Sequence, residues 1–170
     1  MLVRELFVLP LLAVLATPAQ AGCFRECLSH RITSADDRDA MRHAMGECRD
    51  ICVAEEGDAL KAAGLQQQYA TCRARPLDAA DFRKLRGGNA GFTVQDGVLV
   101  WEFTNVLPDK VIRAVEIGTQ TMHLADAVFS IRTLIPPGRT ATIVVMDFYD
   151  GYPAARFTSK LSGVAACEAR

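Results

Sequence analysis

Two cysteine pairs with identical spacing constrain the fold of this 170-residue chain more than any other feature. The pairs are Cys23-x-x-x-Cys27 and Cys48-x-x-x-Cys52. A spacing of four places both sulfurs of a pair on one side of an α-helix. When two helices run antiparallel, the residue numbers of facing positions add up to the same value. The numbers of Cys23 and Cys52 have the same sum as those of Cys27 and Cys48, so these two pairs can face each other at the same time. The spacing therefore predicts a helical hairpin closed by these two disulfide bonds.

The hydrophobic pattern also predicts two helices here. Cys23, Cys27 and Leu28 share one face of a short first helix. Ser34, followed by Asp37, resembles the N-cap of a second helix. An apolar stripe with a 3.6-residue period then follows, formed by Met41, Ala44, Met45, Cys48, Ile51 and Cys52.

Shorter helices should follow the hairpin. After Gly57, a further helical stretch carries Cys72 near its end and stops at Pro76, because proline lacks the next backbone donor. Asp78 with Asp81 indicates another short, capped helix that ends at the glycine pair 87–88. The helical part is therefore predicted to cover residues 22–88.

Beyond residue 88 the hydrophobic period becomes two. The dipeptide Asp96-Gly97 suits a tight hairpin turn, and apolar runs follow at 111–117, 127–135, 141–146 and 157–161. Both alternating sets in 111–117 contain apolar residues, which predicts a β-bulge or burial on both sides. Residues 89–170 are thus predicted to form an antiparallel β-sandwich, and the fold class is α+β.

The six cysteines form an even set. Once the hairpin pairs are assigned, Cys72 and Cys167 remain, and elimination predicts a third bridge between them. This bridge would join the helical part to the last strand of the sandwich.

The N-terminus has the three parts of a cleavable signal peptide, residues 1–21. Arg4 precedes an apolar run over 6–16, and a small-residue cleavage site, Ala19-Gln20-Ala21, closes the segment. The run is well short of the roughly 20 residues that span a bilayer, so no permanent transmembrane segment is expected. The pattern predicts export, either to a periplasm, most directly a bacterial one, or out of the cell as a secreted protein.

A lipid anchor at Cys23 is an alternative, because Gln20-Ala21-Gly22-Cys23 resembles a bacterial lipobox. Gln20 departs from the aliphatic residue of that pattern. Lipidation would also leave an odd number of thiols in an oxidising compartment.

Two partial resemblances accompany these patterns. Residues 22–56, with the twin C-x-x-x-C motifs, resemble the helical hairpins of small chaperones of the mitochondrial intermembrane space. This resemblance implies the bridge pattern alone, and it is not extended to a chaperone activity. Residues 101–105 and 135–138, Trp-Glu-Phe-Thr-Asn and Ile-Pro-Pro-Gly, are similar to segments of immunoglobulin-like bacterial envelope domains. A fold of that kind does not by itself imply a function.

Charge and motifs favour a binding function over catalysis. The net charge of −1 gives no basic field for nucleic acid. The three histidines lie in no recognised catalytic motif, and no cofactor is expected. The sequence therefore predicts a non-enzymatic envelope accessory or protein-binding module with an unidentified envelope partner. The candidate partner-binding loop contains Asp147, Tyr149, Asp150 and Tyr152.

Two other functions remain open. A copper- or zinc-handling protein could use soft ligands from the cysteines at 23, 27, 48 and 52, together with His30 and His43, with Met41 and Met45 nearby. The opposing interpretation is that the methionines are core residues and the cysteines are oxidised. A third possibility is a cryptic enzyme or a thiol-redox protein, although the cysteine pairs lack the C-x-x-C spacing typical of reactive thiols.

Overall fold

The computed structural model describes residues 21–89, 91–120, 124–148, 151–152, 155–156 and 158–169. In this part of the chain the protein has an α+β architecture, with helices first and antiparallel sheets after them. This order agrees with the change of hydrophobic period near residue 88. Apart from Ala21, which begins the first helix, the predicted signal peptide lies outside the described residues.

The helices are α1 (Ala21–Arg31), α2 (Arg38–Ala62), α3 (Gln66–Ala70) and α4 (Ala79–Gly88). Asp37 rather than Ser34 is the N-cap of α2, because its carboxylate accepts a hydrogen bond from the Ala40 backbone N–H at 2.8 Å. The predicted start at Ser34 was therefore too early. α2 also continues through Gly57, where a break was expected, since an internal glycine costs a helix only about 1 kcal/mol.

Asp78 caps α4, as the sequence predicts. Its side-chain Oδ1 accepts hydrogen bonds from the backbone N–H groups of Ala80 and Asp81 at 2.8 and 2.9 Å. These bonds favour the ionised carboxylate and lower the pKa of Asp78 from its ordinary value of 3.8.

The strands belong to two larger sheets and one small hairpin. Their bounds are β1 (Arg75–Pro76), β2 (Thr93–Gln95), β3 (Val98–Thr104), β4 (Lys110–Gln120), β5 (Asp126–Ile135), β6 (Thr140–Val145), β7 (Gly151–Tyr152), β8 (Ala155–Arg156) and β9 (Lys160–Glu168). The four-stranded sheet has the order β1-β9-β4-β5, the three-stranded sheet has the order β2-β3-β6, and β7 pairs with β8. All the observed pairings are antiparallel.

The predicted Asp96-Gly97 turn joins β2 to β3. Both residues have positive φ, 50° and 76°, as a two-residue hairpin turn of type I′ requires. The predicted irregularity in β4 is also present, because the pairing of β4 with both β5 and β9 changes register between Ile112 and Ala114. A bulge there lets apolar residues on both sides of the strand find buried positions.

The main hydrophobic core lies between the two larger sheets. Trp101 and Phe103 of β3 meet edge to face with ring centroids 4.8 Å apart. The facing sheet contributes a set of buried aliphatic residues from β4 and β9, namely Ile112, Val115, Ile117, Leu161, Val164 and Ala166. Alternation in these strands, predicted from the sequence, therefore produces a core with two sheet layers.

Asn105 forms hydrogen bonds that connect the loop after β3 with the loop after β5 at one end of this core. The fully buried side chain donates hydrogen bonds to the backbone oxygens of Lys110 and Ile135 at 2.7 and 2.9 Å. Its backbone oxygen accepts a hydrogen bond from the Gly138 N–H at 2.8 Å. The sequence segments 101–105 and 135–138 thus meet in space.

Contacts cross the predicted boundary at residue 88. β1 pairs with β9, and Leu85 of α4 is fully buried in the core between the sheets. The Cys72–Cys167 bridge joins the end of the α3 region to β9. The segment 72–88 therefore packs with the sheets, although much of its residue pattern is helical.

Candidate binding site

The helical hairpin is closed by two disulfide bonds. Cys23–Cys52 and Cys27–Cys48 join α1 to α2 with Cα–Cα distances of 5.9 and 5.7 Å. These are the pairs given by the constant sum of facing positions. The hairpin is therefore held at two levels, one helical turn apart, so α1 and α2 cannot separate while both bonds remain.

The hairpin packs on the outer face of the three-stranded sheet. A second, smaller apolar cluster joins the two parts, and its buried members are Phe24, Cys48, Val98 and Val144. Cys48 is fully buried there, so the inner bridge faces the sheet. The three-stranded sheet thus has an apolar contact on each face, with the main core on one side and the hairpin on the other.

Two arginines of α2 also form polar contacts with the segments that flank the strands. Arg42 donates a hydrogen bond from Nη1 to the Asp96 backbone oxygen at 2.7 Å and forms an ion pair with Asp147. Arg38 Nε lies 2.9 Å from Asp96 Oδ1. The β2–β3 turn and the segment after β6 are thereby tied to the same helix.

An open cleft remains between α1 and the strands β2 and β3. Its volume is about 550 Å³, a size common among ligand-binding clefts. Side chains from the two structural parts line it, including Phe24, Leu28 and Met45 from the hairpin and Val98 and Val100 from β3. The walls are therefore apolar, and the disulfide-closed hairpin forms one of them.

The rim of the cleft carries charges of both signs. Arg25 Nη2 lies 3.6 Å from Glu102 Oε1, and the Arg25 side chain is 85% exposed. An exposed ion pair of this kind contributes little to stability. Arg25 and Glu102 can therefore give up their contact with each other and bind polar groups of another molecule at a small cost in free energy.

A larger cavity of about 720 Å³ lies beside the Cys72–Cys167 bridge, and five of its eleven lining residues are charged. Lys110 Nζ lies 2.9 Å from Glu168 Oε1. The hydrogen bond to Glu168 raises the pKa of Lys110 above its ordinary value of 10.5, although burial opposes the shift. The lining of the smaller cleft is more apolar, so the smaller cleft is the better candidate site for an apolar ligand or segment.

The structure places the third predicted bridge and part of the predicted loop. Cys72 and Cys167 are bonded with a Cα–Cα distance of 6.0 Å. Asp147 is exposed and pairs with Arg42. Tyr149 and Asp150 lie outside the described residues, as does the side chain of Tyr152.

The residues named for metal handling do not form a ligand set in this structure. All four hairpin cysteines are in disulfides, and the described residues hold no group of three or more His, Cys, Asp or Glu placed for a metal ion. His43 Nε2 lies 3.4 Å from Glu47 Oε1, and His30 is exposed. The bridge to Cys52 also occupies the Cys23 sulfur that a lipid thioether would need.

No motif in the sequence indicates the cleft. One signal for it was present, because Val98 and Val100 are apolar although they alternate with the core residues Leu99 and Trp101. Apolar residues on both faces of a strand indicate cover on both faces. The pattern could have predicted that another element lies over β3.

Comparison with models of known protein families, with curated proteins and with solved structures finds no match for this chain. Among the described residues, no helix combines the length and the apolar character needed to cross a membrane. The three disulfides indicate an oxidising, non-cytoplasmic environment. The molecule is thus a disulfide-bonded α+β protein.

Proposed function

We propose that this protein is an exported, non-enzymatic protein-binding module of the bacterial envelope, most directly of the periplasm. The observation that carries the proposal is the apolar cleft between the bridged hairpin and β3. An open apolar cleft is a common place for a partner to insert side chains. The signal-peptide pattern of residues 1–21 and the three disulfides support the location.

The chemistry of the cleft favours a short apolar segment of another protein. Phe24, Met45 and Val100 offer apolar contact, while Arg25 and Glu102 at the rim offer one positive and one negative group to a polypeptide backbone or to flanking charges. Because two disulfides fix the hairpin wall, the cleft loses little conformational entropy on binding. We therefore expect a preformed site that changes little between its free and bound forms.

We also interpret the two-sheet body as an immunoglobulin-like domain. The support is the contact between the segments 101–105 and 135–138, made through Asn105 and Gly138. Sandwiches of this kind often present binding surfaces at their loops and edges. The predicted loop with Asp147, Tyr149, Asp150 and Tyr152 is a second part of the proposed binding surface, since Arg42 ties Asp147 to the hairpin.

Site-specific cross-linking tests the proposal. A photoreactive residue at Thr93, which is exposed at the cleft, should capture an envelope protein in intact cells. The same residue at Thr71, which is also exposed but lies near α3, is the matched control and should not capture that protein. Capture of the same protein from both positions would contradict the cleft as the binding site.

The captured protein then allows a quantitative test with purified components. Leu28→Ala removes apolar contact from the hairpin wall and should weaken binding about tenfold, as truncation of an important interface residue does. Near-UV circular dichroism identifies any loss of folding in the variant. An unchanged Kd for a folded Leu28→Ala protein would contradict the proposal.

A further inference from the structure

The two edges of the four-stranded sheet differ in their protection. β1, at one edge, is short and contains Pro76, which cannot donate a ladder hydrogen bond. β5, at the other edge, is longer, and its sequence DAVFSIRTLI contains no proline or lysine. In the described part of the chain, β5 pairs with β4 and with no other strand. Long edge strands without such protection are templates for pairing with another chain.

Part of β5 is regular enough to accept a partner strand. From Asp126 to Arg132 the pairing with β4 advances one residue at a time, and the register changes only beyond Arg132. The side chains of Asp126, Val128, Ser130 and Arg132 alternate on the exposed face, and Val128 is 59% exposed. Phe129, between them, packs against the main core. This segment therefore offers a regularly paired backbone with one solvent-exposed face.

The two charges of this segment have no ion-pair partner among the described residues. Asp126 and Arg132 are both exposed. They are about 20 Å apart along the strand, at about 3.4 Å per residue, so they cannot pair with each other within one chain. A second antiparallel copy of β5, centred on Phe129, would place Asp126 of each chain opposite Arg132 of the other.

Other registers lose this charge pairing. Moving the centre to Val128 places Asp126 opposite Ser130, and moving it to Ser130 places Arg132 opposite Val128. Sliding one strand along the other by an odd number of residues would place core-facing residues opposite exposed ones. The register centred on Phe129 is thus the one that is complementary to itself in both charge and face, as a two-fold symmetric contact requires.

We propose that two copies of this chain associate by antiparallel pairing of their β5 strands, in the register centred on Phe129. The pairing joins the two four-stranded sheets into one continuous sheet across the dimer axis. Main-chain hydrogen bonds supply affinity, and the two symmetry-related Asp126–Arg132 pairs specify the register. This contact is separate from the proposed binding cleft, which lies on the other sheet.

Sedimentation of the oxidised protein over a wide concentration range tests the proposal. The wild type should dimerise reversibly. Asp126→Arg and Arg132→Asp each place like charges opposite one another twice, so each should weaken the dimer about tenfold or more. The double variant with both changes restores opposite charges and should return the dimer Kd to within about threefold of the wild-type value.

Lys160→Glu is the matched control for Arg132→Asp, because it reverses an exposed charge on β9 rather than on the edge strand. It should leave the dimer unchanged. Hydrogen exchange should also show protection of residues 126–132 that increases with protein concentration.

Three results would overturn the proposal. They are a wild type that stays monomeric, a dimer that is insensitive to Asp126→Arg, and a double variant that is as weak as the single ones. The first of these results includes a monomer whose β5 becomes protected only when another protein is added, since the edge would then serve a different partner. Leu28→Ala should not affect the dimer, so failure of the cleft and failure of the edge are distinguishable.

Discussion

The hairpin and the two-sheet body are stabilised in different ways. Among the described residues of α1 and α2, few are buried, and Phe24, Ala44 and Cys48 are the main ones. The body has a large buried cluster of aromatic and aliphatic side chains between its sheets. Two disulfides close the hairpin, whereas no bridge crosses the core between the sheets. Disulfide bonds therefore stabilise the hairpin, which buries few residues of its own, whereas apolar burial stabilises the body.

This difference matters for binding. A surface element with little core would ordinarily open and close in solution. The two bridges restrict the unfolded hairpin and keep its apolar face beside the sheet. The protein can thus present apolar groups such as Leu28 and Met45 in an open cleft without a larger helical core behind them.

The largest single effect should come from the core of the body. Phe103→Ala removes a fully buried ring that contacts Trp101, and we expect it to lower the free energy of unfolding by about 3–5 kcal/mol. Chemical denaturation followed by Trp101 fluorescence measures the change. Val106→Ala, at a position that is 44% exposed, is the control and should change stability by no more than about 0.5 kcal/mol. Equal effects at the two positions would show that the body does not depend on this core.

Removal of the inner hairpin bridge should have the next largest effect. Cys27→Ala with Cys48→Ala opens a loop with a sequence separation of 21. The chain-entropy model gives about 3 kcal/mol for such a loop, as an upper value because the outer bridge remains. Loss of helical signal at lower denaturant concentration than the loss of Trp101 fluorescence would place the effect in the hairpin.

The outer bridge provides the comparison for that variant. Cys23 and Cys52 are only partly buried, whereas Cys48 is fully buried against the sheet. Cys23→Ala with Cys52→Ala should therefore destabilise the hairpin less than removal of the inner bridge does. A larger loss from the outer pair would contradict the role assigned to the buried bridge.

The smallest effect concerns the cap of α4 and depends on pH. Hydrogen bonds from Asp81 and Ala80 lower the pKa of Asp78 in the folded protein. Its contribution to stability is therefore present above the unfolded pKa, near 3.8, and is lost as the pH falls through the lower folded value. Asp78→Asn keeps a good N-cap without the charge, so its unfolding free energy should fall less than that of the wild type below pH 3.8. Parallel pH profiles for the two proteins would contradict this role of Asp78.

Local signals in the sequence predicted much of the fold. The cysteine spacing works because helix geometry leaves few ways for two pairs at i and i+4 to face each other. Asp78 and Asp96-Gly97 each satisfy their own backbone requirements within a few residues, so their cap and turn were predictable. The predicted start of α2 was wrong, because Ser34, Asp36 and Asp37 are all able to cap and Asp37 is the residue that does so.

Long-range packing was not predictable in the same way. Neither the pairing of Arg75 and Pro76 with β9 nor the contact of Phe24 with Val98 leaves a periodic pattern in one segment. These contacts depend on how two separate secondary-structure elements pack against each other. Apolar residues on both faces of β3 indicated that something covers the strand, but not that the covering element is the bridged hairpin and that a cleft remains beside it.

Hydrogen exchange of the oxidised and the reduced protein tests the central contrast most directly. The account predicts that reduction removes the protection of α1 and α2, while the amides of β3, β4 and β6 remain protected, because those strands depend on the core between the sheets. Loss of protection in the strands to the same extent as in the hairpin would contradict the account. So would a reduced hairpin whose amides exchange as slowly as in the oxidised protein.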